Sequence, residues 1–269
     1  GDLGRLVDYD SMDGVSKRLH QIYVSSFDSE CEEVKNAASY ALGRASMGSQ
    51  GVFLPAIVTA LETADEKKQY LLLSSLREFI RCLQKSDAQG ATESMSVILP
   101  NLLKFCSAND EGARSMVAEC LGSLTCVQPD MILKKLQELV NQHSTISAPD
   151  GHVAEGDTNS KTNSLVCWTV ATAVKHAIAG KASVSALSGA MPDFLKMLEV
   201  TEVSVRNATL LIVYSAVHHM PQLVGPFMKD SIVPALYEVA GLKLQRVVDL
   251  GPFKHTVDDA LPMRKSAMS

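Results

Sequence analysis

Two imidazoles and a carboxylate in a short stretch, His143, Asp150 and His152, are the side chains with the best claim to metal chemistry, because these are donor types that hold zinc. They lie in NQHSTISAPDGHVAEGDTNSKTNS, Asn141 to Ser164, a segment rich in Gly, Ser, Thr, Asp and Asn with almost no apolar residue to bury. Such a segment cannot recover its ordering entropy. It reads as a flexible loop, 141–164, in which nothing fixes the geometry a metal needs. The six cysteines, Cys31, Cys82, Cys106, Cys120, Cys126 and Cys167, form no C-x-x-C pair and read as reduced core thiols. Cys120 and Cys126 do not share a helix face well. Lys175-His176 and His218-His219 fall at or beyond helix ends, where solvation or capping explains them, and the single Trp168 reads as packing. There is no G-x-S-x-G elbow, glycine-rich phosphate loop, H-E-x-x-H or paired-carboxylate setting. The expectation is a protein that is not an enzyme and carries no cofactor and no metal.

The elements around these residues repeat. An apolar pair, a proline, a spacer and further apolar residues recur as FLPAIV at Pro55, ILPNLL at Pro100, MPDFL at Pro192 and IVPALY at Pro234. A basic residue opening a helix rich in small residues recurs as EEVKNAASYALG at Lys35, EGARSMVAECLG at Arg114 and VSVRNATLLIVY at Arg206. Pro100 to Arg114 and Pro192 to Arg206 are both 14 residues. Two-helix repeats of roughly 40 residues are the pattern of HEAT or armadillo arrays. Val117, Leu121 and Leu124 share a helix face, as do Val205, Thr209, Ile212 and Ala216. The fold expected is all-α: a HEAT-repeat superhelix over 3–269, with units near 3–47, 50–85, 89–126, 128–179, 183–219 and 221–269. The prolines belong in the first helix of each pair and bend it. Arg264 to Ser269 read as the first turns of a helix, so the chain is expected to be part of something longer.

With a net charge of −5, nucleic acid is not the expected partner. No apolar run reaches membrane-spanning length, so no membrane partner is expected. The reading is an intracellular protein of cytoplasm and nucleus.

Two connections exceed the 14-residue spacing. Lys134 to Cys167 contains the polar loop. Pro234 to Arg264 contains LKLQRVVDLGPFKHTVDD, in which Leu242, Leu244, Arg246, Val248 and Leu250 alternate with Lys243, Gln245, Val247 and Asp249. Gly251-Pro252 supplies turn chemistry, and Phe253 to Val257 can return as a second strand. This predicts a β-hairpin at 242–257, inserted between the two helices of the last unit. Asp258 and Asp259 favour the start of the last helix. Because an isolated hairpin is marginal in water, this one either packs back on its own array or meets a partner.

SECEEVKNAASYALG, QYLLLSSLREF, VAECLGSLT and LGPFKHTVDDALPMRKSA together resemble the C-terminal third of the cullin-associated, neddylation-dissociated family of cullin exchange factors. The resemblance runs from about Leu3 to the last residue, and GPFKHTVDD is its most specific part. It implies a long HEAT superhelix that wraps an unneddylated cullin with its RING subunit. Its C-terminal portion would lie at the cullin's N-terminal region, with a β-hairpin occupying part of the substrate-adaptor site. Competition with the adaptor would promote exchange of substrate receptors and assembly of SCF-type ligases. On this chain the implied partner-binding residues are Leu244, Arg246, Val248, Leu250, Gly251, Pro252, Phe253, Lys254 and His255, with Leu244, Val248 and Phe253 as apolar anchors. The alternative is a generic HEAT-repeat scaffold or transport-receptor fragment. That reading calls for acidic or asparagine ladders on a concave face, and none is identified.

Overall fold

The computed structural model describes residues 2–9, 11–12, 14–85, 91–144, 158–249 and 254–269. The chain divides into two compact units, Gly1–Gln128 and Pro129–Ser269.

In the first unit the helices are α1 (Val15–Ser25), α2 (Glu32–Gly48), α3 (Gln50–Thr63), α4 (Glu66–Leu83), α5 (Ala91–Lys104) and α6 (Glu111–Val127). The odd-numbered helices pack on one another as one layer and the even-numbered as a second, with α1–α2, α2–α3, α3–α4 and α5–α6 also in contact. This is the arrangement that lets repeated helix pairs bury a continuous core between layers. The starts of α4 and α6 are set by side-chain caps. Asp65 accepts from the Lys68 N–H at 2.9 Å and Asp110 from the Ala113 N–H at 2.5 Å. Pro55 and Pro100 lie inside α3 and α5. The expected face of α6, Val117, Leu121 and Leu124, is fully buried.

The even-numbered layer is held by a polar seam and an ion-pair ladder. The Ser39 hydroxyl on α2 donates to the Leu71 carbonyl on α4 at 2.8 Å, and the Ser75 hydroxyl donates to Ser39 at 3.2 Å. Gly43 makes this approach possible, because a Cβ there would lie 2.3 Å from the Ser75 carbonyl oxygen. Further out, Arg44 of α2 pairs with Glu78 of α4 at 3.0 Å. Arg77 and Arg81 of α4 both reach Glu119 of α6, at 3.3 and 2.7 Å.

The second unit contains α7 (Pro129–His143), α8 (Thr158–Ala179), α9 (Val184–Leu195), α10 (Val203–His219), α11 (Val233–Gly241) and α12 (Leu261–Met268). Helix α7 packs on α8 and α9, α8 on α10, and α12 on both α10 and α11. Val205, Thr209, Ile212 and Ala216 are fully buried on α10, with the Thr209 hydroxyl returned to the Val205 carbonyl at 2.8 Å. Pro192 lies inside α9, while Pro234 stands in the first turn of α11, just after a single π turn at Met228–Ile232.

The polar loop is shorter than its composition suggests. Asn141 to His143 complete α7, and 158–164 are the first turns of α8. A hydroxyl inside a helix can turn back to the carbonyl four residues earlier, so a polar stretch does not exclude a helix. Here the Ser164 hydroxyl donates to the Ser160 carbonyl at 3.1 Å, and His143 Nδ1 meets Asn163 Oδ1 at 2.5 Å. Residues 145–157, with Asp150 and His152, lie outside the described residues. Between α11 and α12 the helical order is interrupted by the only strands among the described residues, β1 (Gln245–Asp249) and β2 (Lys254–Asp258).

Candidate interaction hairpin

The hairpin starts where α11 stops. Helix α11 ends at Gly241, and the Leu242 N–H closes the last turn on the Val239 carbonyl at 3.1 Å. The strands pair antiparallel with Gln245 opposite Asp258, Arg246 opposite Val257, Val247 opposite Thr256, Val248 opposite His255 and Asp249 opposite Lys254. The expected turn, Gly251-Pro252, and the expected strand residues beside it, Leu250 and Phe253, lie outside the described residues.

Register decides which side chains share a face, since directly opposed residues project together and faces alternate along a strand. Arg246, Val248, His255 and Val257 occupy one face, on which Val248 and Val257 are half-buried. Val247 and Thr256 occupy the other, and there Val247 is 64% exposed. Of the expected anchors, Leu244 precedes β1 and is 38% exposed, while Val248 is turned to the more covered face. Lys254 and His255 are exposed. Val247 stands outside the expected set, because sequence alternation gives two faces without saying which is covered. Tyr237 on α11, 78% exposed, is a second apolar surface residue outside the expected set.

Burial does not hold these strands in place, so the base of the hairpin matters. Arg264 on α12 donates from Nη1 to the Leu242 carbonyl and to Asp258 Oδ2, both at 2.7 Å. The other Asp258 oxygen, Oδ1, accepts from the Leu244 N–H at 3.3 Å and the Ala260 N–H at 3.1 Å. The Asp259 N–H donates to the Leu244 carbonyl at 2.9 Å, and Arg246 pairs with Asp259 at 2.7 Å. The Arg264 hydrogen bond, aided by the two backbone donors, holds the Asp258 carboxyl below the usual carboxylate range against the opposing effect of desolvation. The acid pair therefore does more than start α12: Asp258 Oδ1 accepts the Ala260 N–H at the turn into that helix, and Oδ2 meets Arg264. That helix is preceded by Ala260, with no side-chain cap, and Asp258 closes the hairpin. A signal was present in the repeat. Arg264 stands at the position of Arg114, which donates to the carbonyls of Ala108 and Asn109 at 2.6 and 2.8 Å, also at the end of the preceding connection.

Among the described residues, no group of three or more His, Cys, Asp or Glu side chains is arranged to hold a metal. No helix among them is long and apolar enough to cross a membrane. His218 meets the Tyr214 ring edge-on at 4.4 Å, and both are exposed. In the first unit a groove of about 640 Å³ opens at the starts of α2, α4 and α6. Six of its eight charged side chains are engaged: Lys35 with Glu32 at 2.6 Å, Lys68 with Asp28 at 2.7 Å, and Asp65 and Asp110 in their caps.

Against known proteins, the chain is 36% identical to cullin-associated NEDD8-dissociated protein 1 of Drosophila melanogaster, over 99% of its own length and 20% of that protein. This chain is a relative of the cullin-associated NEDD8-dissociated proteins. The Arabidopsis thaliana protein of the same name is 32% identical over the same shares. A protein of Emericella nidulans described as the C-terminal part is 28% identical over 91% of this chain and 22% of that sequence. The chain thus spans about a fifth of the length of the curated relatives it matches. The TIP120 family profile, described as TATA-binding protein interacting (TIP20), matches residues 224–269, the segment that carries the hairpin and its clasp. Among solved structures, a designed armadillo repeat protein is 14% identical, with 93% of this chain and 97% of that one covered at a TM-score of 0.42.

Proposed function

We propose that this chain is part of a non-catalytic assembly factor of cullin–RING ubiquitin ligases, working in the cytoplasm and nucleus. It binds the N-terminal region of an unneddylated cullin carrying its RING subunit, and its hairpin competes with the substrate adaptor, promoting exchange of substrate receptors. The observation that carries this reading is the match of nearly the whole chain to proteins named for cullin association and NEDD8 dissociation. The exposed hairpin fits the role. It offers Val247 and Leu244 as apolar contacts, with Arg246, Lys254 and His255 as a charged or polar rim that sets orientation. Residues Leu250 to Phe253, together with Val248, complete the docking segment in this proposal.

The energetics are sufficient. Burying two apolar side chains stabilises a contact by roughly 3–6 kcal/mol before ordering costs, whereas about 1.4 kcal/mol shifts a competition tenfold. The test is a competition assay with the chain and a chain lacking Lys243–Thr256, against an unmodified cullin and its adaptor. The expected result is that both bind the cullin and only the intact chain displaces the adaptor. Equal displacement by both defeats the hairpin's role. A pull-down from cell extract, comparing cullins with and without the ubiquitin-like modifier, tests the partner itself. Recovery of transport cargo or a phosphatase subunit in place of cullin favours a generic repeat scaffold.

A further inference from the structure

The strands between Gln245 and Asp258 are largely exposed, and a two-stranded ribbon of this size is marginal in water. Something outside the strands must hold it. The base supplies it. One guanidinium on α12 takes the carbonyl of Leu242, where the chain leaves α11, and the carboxylate of Asp258, where it leaves β2. That carboxylate also takes two N–H groups, Leu244 on the incoming side and Ala260 on the outgoing side. Arg264 and Asp258 are both about four-fifths buried at the side chain, 21% and 18% exposed, so the pair is less screened than a surface bridge. Ala260 and Met263, fully buried beside them, fix the start of α12. By contrast Arg246 and Asp259, 64% and 44% exposed, form a pair of the kind that contributes little.

We infer that Arg264 and Asp258 are positioning residues, clasping both ends of the hairpin to α12 so that it stands in one orientation before any partner arrives. The inference rests on the proposed docking role only for its consequence. If the hairpin docks, the clasp removes the ordering cost of docking and the hairpin competes as a rigid part. Arg264 reaches both acceptors through the two N–H groups of one nitrogen, Nη1, which the rigid guanidinium plane holds in fixed directions.

Amide hydrogen exchange on the free 269-residue chain tests it with Arg264→Met, Arg264→Lys and Asp258→Asn. Exchange across 245–258 is expected to rise by about tenfold or more in Arg264→Met and Asp258→Asn, less in Arg264→Lys, while exchange in α8 and α10 and the melting temperature stay as they were. A defect that was merely structural would move all of these together. Unchanged exchange in the hairpin of both Arg264→Met and Asp258→Asn overturns the clasp, as does a global rise in both. Adaptor displacement is then measured with the same chains. A rise in hairpin exchange with weakened displacement supports the clasp and its consequence. A rise in exchange when even the chain lacking Lys243–Thr256 still displaces the adaptor leaves the clasp standing and overturns the docking reading instead.

Discussion

Val247 lies directly opposite Thr256 on the open face of the hairpin, one residue away from the half-buried Val248 and on the other side of the ribbon. Adjacent valines of the same strand are therefore not equivalent, although their sequence environments are nearly alike. Val247→Asp places a charge where solvent already is, so its effect on the free chain's stability is expected within about 0.5 kcal/mol. In the competition with the adaptor it is expected to cost about tenfold or more, since a charge would have to be desolvated at the contact. Titration of displacement against chain concentration checks both the size and the specificity. Displacement that stays unchanged removes Val247 from the contact.

Two glycine-to-alanine substitutions are expected to act with opposite sign. At Gly43 the new methyl would meet the Ser75 carbonyl, so α2 and α4 must part, and the loss expected is about 1–3 kcal/mol. At Gly189, inside α9, nothing lies within 4 Å of the new Cβ, and the gain expected is up to about 1 kcal/mol from helix propensity. Thermal or urea unfolding of the two variants side by side measures the difference. A stabilised Gly43→Ala would contradict the close approach of the two helices.

Acid is expected to act in two separate windows. His20 on α1 faces the Phe53 ring at 6.4 Å, and its Nε2 is buried without a partner. Burial lowers its pKa from 6.5, so the unfolded chain takes up the proton first. Its neutral form stabilises fully above pH 6.5, and that contribution is lost as the pH falls below 6.5 through the depressed folded value. Asp258 has its pKa lowered from 3.8, chiefly by Arg264. Its contribution is present above 3.8 and lost as the pH falls through the lower folded value. The α1 region is therefore expected to loosen as the pH falls below 6.5, with the hairpin base intact until the pH falls below 3.8. Hydrogen exchange corrected for intrinsic rates distinguishes the two.

The thiols predict a labelling order. Cys31 is exposed, while Cys106, Cys120 and Cys167 are buried, and burial drives their pKa values up, to about 12 for Cys106 and about 11 for Cys167. Only thiolate reacts. A thiol reagent at pH 8 is expected to modify Cys31 rapidly in the native chain and to reach these three only on unfolding. Fast reaction of Cys120 would mean that the α4–α6 core opens.

The helices were legible because period and punctuation agree. The faces Val117–Leu121–Leu124 and Val205–Thr209–Ile212–Ala216 follow from spacing alone, and the recurring proline marked first helices. What spacing could not supply was polar geometry. Ser39, Ser75 and Gly43 read as ordinary helix residues, and their role appears only when α2 meets α4. Asp258 and Asp259 carried a helix-start signal, which could not convey that Asp258 also ties the hairpin to Arg264. At the hairpin, alternation exposed two faces and the register was needed to choose between them. The segment 158–164 looked like loop because its composition is polar, whereas α8 extends through it.

The 2.9 Å hydrogen bond from the Asp259 N–H to the Leu244 carbonyl has a consequence for how such an array acquires new parts. It brings the two ends of the inserted ribbon side by side, so the polypeptide departs from and rejoins the helical frame at nearly one point. An insertion with adjoining ends imposes little on its host, because α11 and α12 can stack whether the excursion between them is long or short. The hairpin is thus a module in the modular sense: a removable or exchangeable appendage on an otherwise regular lattice of helices. In the proposed docking role, a different ribbon grafted between Leu244 and Asp258 is expected to change the partner while keeping the Arg264 clasp.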